Sequence, residues 1–249
     1  MSADAVELRG VAHRFGGRAV LEAIDLRLQQ GSFNSVIGQS GCGKSTLLRV
    51  LAGLLVPSAG DATIAGRSVV GRPGEVAYMP QRDLLLPWRR ALGNAVLGSD
   101  VQHVPREHAE ARALELFERF GLAGFERAWP AQLSGGMRQR LALLRTFLQE
   151  HEVLLLDEPF GALDALTRQE MQQWLQQVWQ ADRRTVLLVT HDIEEALTLS
   201  DRVVVLSPRP GRVVAELDVD LDRPRSVETV TDERFIALKT KLLDALHAA

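Results

Sequence analysis

The segment Gly38-Gln39-Ser40-Gly41-Cys42-Gly43-Lys44-Ser45-Thr46 carries the densest chemical signal in the chain. Gly38, Gly43, Lys44 and Ser45 satisfy the spacing G-x-x-x-x-G-K-S, which has meaning when a strand precedes it and a helix follows. Glycines let the backbone curl so that successive N–H groups face phosphate oxygens, and a helix opening near Lys44 adds the positive end of its dipole. Lys44 then reaches β and γ phosphates, and the Ser45 hydroxyl is suited to ligate Mg²⁺. The plain alternative is a glycine turn with a surface lysine.

Two further constellations bear on that choice. Val153-Leu154-Leu155-Leu156-Asp157-Glu158 sets four apolar residues before two carboxylates. A strand that emerges at the carboxyl end of a parallel sheet presents such acids where ligands bind. Asp157 is expected to hold Mg²⁺ through water, and Glu158 to orient a water and accept its proton. Taken alone, the run also reads as a strand ending in two solvated acids. Leu133-Ser134-Gly135-Gly136-Met137-Arg138-Gln139-Arg140 puts a hydroxyl and two glycines at a helix start, a second place for an anion.

These residues need particular elements under them. Val6–Phe15 and Ser32–Ile37 read as strands, the latter running directly into the glycine loop. Leu47, Leu48, Leu51 and Leu54 recur at helical spacing after Lys44, and Gly53, Pro57 and Gly60 stop the helix. From Asp83 to Phe147 the pattern turns helical, with Leu114, Phe117, Phe120 and Leu122 predicted on one helix that starts after Pro105. Val153–Leu156 and Val186–Val189 are apolar runs too short for helices, as expected of strands in a parallel sheet covered on both faces, joined by right-handed crossovers. Arg212–Val219 reads as a strand and Asp232–Leu246 as a terminal amphipathic helix.

Bulk properties narrow the class. A chain of 249 residues with formal charge −3 can bury a large core and does not read as a polyanion binder held by bulk charge, so nucleic acid is not expected as a partner. No apolar run approaches the roughly 20 residues of a spanning helix. Met1–Gly10 lacks the basic region, apolar run and cleavage site of an export signal, which points to the cytoplasm. The single cysteine, Cys42, allows neither an internal disulfide nor a thiolate metal cluster, and the six histidines show no ligand spacing.

In this order the three motifs resemble those of the ATP-binding-cassette family, with Gly38–Thr46 as Walker A, Leu133–Met137 as the signature and Val153–Glu158 as Walker B. The resemblance covers nearly the whole chain. It implies an α/β P-loop NTPase with a mixed RecA-like core sheet, an N-terminal antiparallel β region and an inserted α-helical subdomain. The single cassette would divide into a core of residues 1–82 and 148–221, a helical lobe of 83–147 and a C-terminal segment of 222–249. ATP and Mg²⁺ are the implied ligands, with Gly38, Gln39, Ser40, Gly41, Cys42, Gly43, Lys44, Ser45 and Thr46 around the phosphates. Two copies pair head to tail, so Ser134, Gly135 and Gly136 face the partner's nucleotide.

Other roles follow only from that resemblance. Gln81 matches the glutamine that senses Mg²⁺ and the γ phosphate, Ala162-Leu163-Asp164 the D-loop, and His191 the switch histidine at the γ phosphate. Phe15 resembles the aromatic residue that stacks on adenine; its alternative role is a strand residue in the core. Met137 and Gly161 depart from the commoner glutamine and serine. Cys42 occupies a variable loop position, and an open loop would let a thiol reagent block ATP binding.

Leu85-Leu86-Pro87-Trp88-Arg89, the Leu-Ser-Gly-Gly-Met signature, Arg209-Pro210-Gly211-Arg212 and Arg223-Pro224-Arg225 look like one importer branch, which serves nitrate, taurine, alkanesulfonates and pyrimidine precursors of thiamine. Tyr78-Met79-Pro80-Gln81 leans toward the pyrimidine group. The branch implies a peripheral subunit on the cytoplasmic face of the inner membrane, a permease docked near Leu84–Arg89, and indirectly a substrate-binding protein. Rival readings are a non-transport cassette acting on nucleic acid or ribosomes, an exporter cassette with the same chemistry, and a P-loop kinase, which leaves the signature and Gln81 without a role.

Overall fold

The computed structural model describes residues 4–248, so the start of the Met1–Gly10 segment lies outside the described residues. Two long strands come first, β1 (Asp4–Phe15) and β2 (Arg18–Gln29). Gly16 and Gly17, at φ 52° and 82°, join them in a two-residue hairpin of the kind that needs positive φ at both positions. β2 went unread in the sequence, although a Gly-Gly pair beside alternating residues such as Ile24, Leu26 and Leu28 is a hairpin signal. β3 (Phe33–Ile37) then runs into the glycine loop and helix α1 (Lys44–Leu51). β4 (Ala59–Ile64) and the short β5 (Arg67–Ser68) return to complete an antiparallel sheet in the order β2-β1-β4-β5.

Next come β6 (Ala77–Met79), the helices α2 (Ala91–Ala95), α3 (Leu97–Val101), α4 (Arg106–Arg119) and α5 (Gly135–Phe147), and then β7 (Val153–Asp157). The helical pattern begins later than its expected start at Asp83. α4 also corrects the expected stripe: Ala109, Ala113 and Phe117 are its buried residues, while Leu114 is exposed. Leu122 lies beyond the helix end, after Gly121 turns the chain at φ 61°, and enters the same helical core from the loop rather than from α4. α6 (Ala165–Asp182), β8 (Thr185–Val189), α7 (Ile193–Leu199), β9 (Arg202–Leu206), β10 (Val213–Asp218) and α8 (Glu233–Ala248) complete the chain.

The second sheet has the order β10-β9-β3-β8-β7-β6, parallel throughout except for the antiparallel β10 edge. Its central strands are apolar on both faces for a visible reason. Leu154, Leu156, Val186 and Leu188 enter a core shared with α4, α5 and α6, while Val153, Leu155, Leu187 and Val189 enter a core shared with α1 and the antiparallel sheet. Each such fully buried side chain contributes roughly 1.5–3 kcal/mol relative to exposure. A third core joins α7 and α8 to β9.

The parallel arrangement decides where chemistry can occur. β9, β3, β8, β7 and β6 are neighbours that all point the same way, so the residues following them gather along one edge of the sheet. Those residues are the Arg209 loop, the glycine loop, His191, Glu158 and Gln81.

Candidate active site

At this edge a cavity of about 400 Å³ is lined by Phe15, Arg18, Val20, Ser40, Gly41, Gly43, Lys44, Ser45, Thr46, Gln81, Glu158 and Arg209. Gly43, at φ 116°, is where the glycine requirement is sharpest. A Cβ there would stand 2.6 Å from Leu21 Cδ2 and 3.0 Å from the Val20 carbonyl oxygen. α1 begins immediately afterwards with no side-chain cap on its first N–H groups, which leaves them for an anion.

Lys44 is only 6% exposed. Its Nζ donates to the Gly38 carbonyl at 2.8 Å and the Gln39 carbonyl at 3.1 Å, and an ammonium has a third proton left to give. The loop thus holds the cation at its own centre. Ser45 Oγ donates to Asp157 Oδ1 at 3.1 Å. Asp157 is 2% exposed, and burial pushes its carboxyl above the usual carboxylate range; the Ser45 bond and the Lys44 charge oppose that shift, while neighbouring Glu158 adds to it.

A hydroxyl beside an acid that burial makes reluctant to ionise is a fitting place for a divalent cation, whose charge would favour the carboxylate. No group of three or more His, Cys, Asp or Glu suited to a metal occurs among the described residues. Mg²⁺ takes one or two protein oxygens together with phosphates and water, and the Ser45 hydroxyl and the Asp157 carboxylate supply two.

Glu158 adopts φ 49°, a left-handed conformation that costs a glutamate roughly 1 kcal/mol or more. Backbone bonds pin it there: its N–H donates to the Val189 carbonyl at 2.9 Å, and its carbonyl accepts from the Gly161 N–H at 3.2 Å. Its carboxylate is bracketed from both sides, by Gln81 Nε2 at 3.0 Å from one oxygen and His191 Nδ1 at 3.4 Å from the other. Two residues from two other strand ends therefore meet around this one acid.

Other expected positions fall as follows. Phe15 is 46% exposed at the mouth of the cavity, so it is not a core residue. Cys42 is 1% exposed; its thiol packs in the core beside Gly38 and Leu206, which overturns the expectation of an accessible thiol in an open loop. Ser134 caps α5, accepting from the Met137 N–H at 3.2 Å, and neither it nor Gly135 nor Gly136 lines the cavity of its own chain. Met137 packs against the helical core, and Asp164 caps α6 by accepting from the Thr167 N–H. Arg18 and Arg209 line the cavity without having been read as site residues; the Arg-Pro-Gly-Arg string around Arg209 was the available signal.

In the segment after Gln81 the leucines divide: Leu85 is buried, while Leu84 and Trp88 are exposed, Trp88 at 70%. Trp88 and Trp129 face a common hollow, with the Arg90 guanidinium 4.7 Å from the Trp129 ring centroid. No helix among the described residues is long and apolar enough to cross a membrane.

Comparison with known proteins fits this geometry. Residues 21–161 match the family described as ABC transporter. The chain is 47% identical to the aliphatic sulfonates import ATP-binding protein SsuB 1 of Rhodococcus jostii, over 98% of this chain and 94% of that one. It is 48% identical to SsuB 2, of the same description, from Streptomyces avermitilis, over 99% and 92%. Among solved structures, the dimeric post-hydrolysis state of the ATP-binding cassette MJ0796 bound to ADP and Pi superposes with a TM-score of 0.77 at 28% identity, covering 87% of this chain and all of that one. With a phosphate loop after β3, an acid at the end of β7 on the same sheet edge and relatives alike along almost its whole length, the chain belongs to the ABC transporter family as an ATP-binding, ATP-hydrolysing subunit.

Proposed function

We propose that this subunit powers the uptake of aliphatic sulfonates, working as a pair of copies beneath a separate membrane permease. The solute rests on the relatives named for aliphatic sulfonate import, which outweigh the pyrimidine lean of Tyr78–Gln81. One observation carries the catalytic part: Glu158, held between Gln81 and His191 at the rim of the Lys44–Ser45 cavity.

In this reading Phe15 stacks on adenine, and the backbone N–H groups of the Gly38–Thr46 loop surround the phosphates. Lys44 meets the β and γ phosphates with the proton it has to spare. Ser45, Asp157 and Gln81 would hold Mg²⁺, which would supply charge neutralisation on the phosphate oxygens. Glu158 releases its hold on Gln81 and His191 to align a water with the γ phosphorus and take its proton, and His191 then donates to the γ phosphate. As the water oxygen bonds to the γ phosphorus, the bond to the β–γ bridging oxygen breaks, and ADP and free phosphate are the products.

Ser134, Gly135 and Gly136 lie off the cavity of their own chain, which supports a shared site completed by the signature of a second copy. ATP then joins the two copies, and its hydrolysis lets them part. Residues 83–147 act as the lobe that relays this movement, with Leu84–Arg89 meeting the permease at the cytoplasmic face. A substrate-binding protein delivers the solute on the far side.

The full-length Glu158→Gln variant tests the shared site. With saturating ATP and Mg²⁺ it is expected to accumulate as an ATP-loaded dimer in light scattering, and a strictly monomeric species would refute a site completed by a second copy. The solute is tested in vesicles holding the cognate permease and binding protein: an alkanesulfonate is expected to raise ATP hydrolysis, and stimulation by a pyrimidine alone would overturn that assignment.

A further inference from the structure

We propose that Arg209 is a phosphate-binding residue of the nucleotide site, a second fixed cation set against the loop opposite Lys44; the inference rests on the nucleotide reading above. Arg209 follows β9, the strand on the other side of β3 from β8, and so emerges on the same edge as the phosphate loop. It lines the same cavity as Lys44 and Phe15.

The loop that carries it is fastened on three sides. Ser207 Oγ accepts from the Arg212 N–H at 3.1 Å and lies 3.0 Å from the Pro210 carbonyl, closing the loop on itself. Gly211 donates to the Val20 carbonyl at 2.9 Å and accepts from the Glu22 N–H at 3.0 Å, which ties the loop to β2. Gly211 also lies so close to the Cys42 carbonyl that a Cβ would collide with it, so the loop rests directly on the phosphate loop.

The two arginines of this motif are used differently. Arg212 is paired with Glu22 at 2.8 Å. Arg209 donates through Nε to the Gly41 carbonyl at 3.1 Å, and among the described residues neither of its terminal nitrogens has a hydrogen-bond partner and no carboxylate lies within ion-pair distance. Its Nη2 is 3.7 Å from where a Cβ on Gly41 would stand. One edge of the planar guanidinium is thus anchored to the loop backbone, while the other remains free to make the paired N–H···O contacts that a phosphate group accepts.

The test is displacement of a fluorescent ATP analogue from the full-length chain by ATP and by AMP, for the parent and for Arg209→Ala, Arg209→Gln and Arg209→Lys, with equal thermal midpoints checked without nucleotide. Arg209→Ala and Arg209→Gln are expected to weaken ATP by about five- to twentyfold, with a smaller loss for AMP, and Arg209→Lys to recover part of it. Rising salt should shrink the difference. Glutamine keeps a donor for the Gly41 carbonyl but no charge. Parental affinity in Arg209→Gln would reduce the residue to a backbone brace, and equal losses for ATP and AMP would exclude phosphate contact; either result overturns the proposal. Lys44→Ala serves as the control: if it binds ATP like the parent, the nucleotide reading itself fails, separately from Arg209.

Discussion

Replacing Glu195 by glutamine should stabilise this protein, increasingly so as the pH rises from about 5 to about 8. Glu195 sits in the first turn of α7, four residues after His191, and is 5% exposed. Its Oε1 has no hydrogen-bond partner. Burial, with the charges of Asp192 and Glu158 adding to it and Thr190 and Arg168 opposing, pushes its carboxyl up from 4.5 to about 8. The folded protein therefore keeps this proton between those limits while the unfolded chain gives it up. Stability tied to the group is complete below pH 4.5 and is lost progressively as pH rises through about 8. At about 1.36 kcal/mol per unit, the cost reaches on the order of 3 kcal/mol at pH 7, and relaxation of the surroundings lowers what is measured.

Glutamine has nearly the same shape and nothing to ionise, so it should remove that cost. The assay is urea unfolding of parent and Glu195→Gln at a series of pH values, with the difference in unfolding free energy plotted against pH. A rise of roughly 1 kcal/mol per unit that levels off above about pH 8 is expected. A difference that does not vary with pH would show that the carboxyl is not held protonated and would refute the burial argument.

Cys42, packed beside Gly38 and Leu206, should react with an aromatic disulfide reagent orders of magnitude more slowly in the native chain than in denaturant, with or without ATP; rapid native labelling that ATP blocks would contradict its burial. Trp88→Ala should leave ATP binding by the isolated subunit unchanged and abolish the stimulation of hydrolysis by the permease, since Trp88 is exposed and lines a hollow other than the nucleotide cavity; unaltered stimulation in vesicles would remove Trp88 from the docking surface. Phe15→Leu should weaken ATP by roughly tenfold or less, a loss of about 1 kcal/mol of stacking, and an unchanged affinity in the same displacement assay would detach Phe15 from adenine.

The phosphate loop, the acids at the end of β7 and the serine-glycine helix start were legible in the sequence because each is made by consecutive residues. A phosphate cradle is formed by neighbouring backbone N–H groups and the helix they open, and a buried strand ending in acids needs one apolar run. Those same runs point to a parallel sheet, while its mixed character and the antiparallel β region were implied only by the family resemblance. The local reading fails where burial depends on distant partners: β2 was missed, Leu114 is exposed, and Leu122 enters the helical core from a loop rather than from a helix.

Only the tertiary structure could bring Gln81 and His191 to opposite oxygens of Glu158, because those contacts join the ends of three parallel strands far apart in the chain. It also placed Phe15 at the cavity mouth, turned the Cys42 thiol into the core and set Arg209 against Gly41. Sequence specifies what each strand end carries; the order in which strands pair specifies which ends become neighbours, and that order is settled by packing on both faces of the sheet rather than by any residue at its edge.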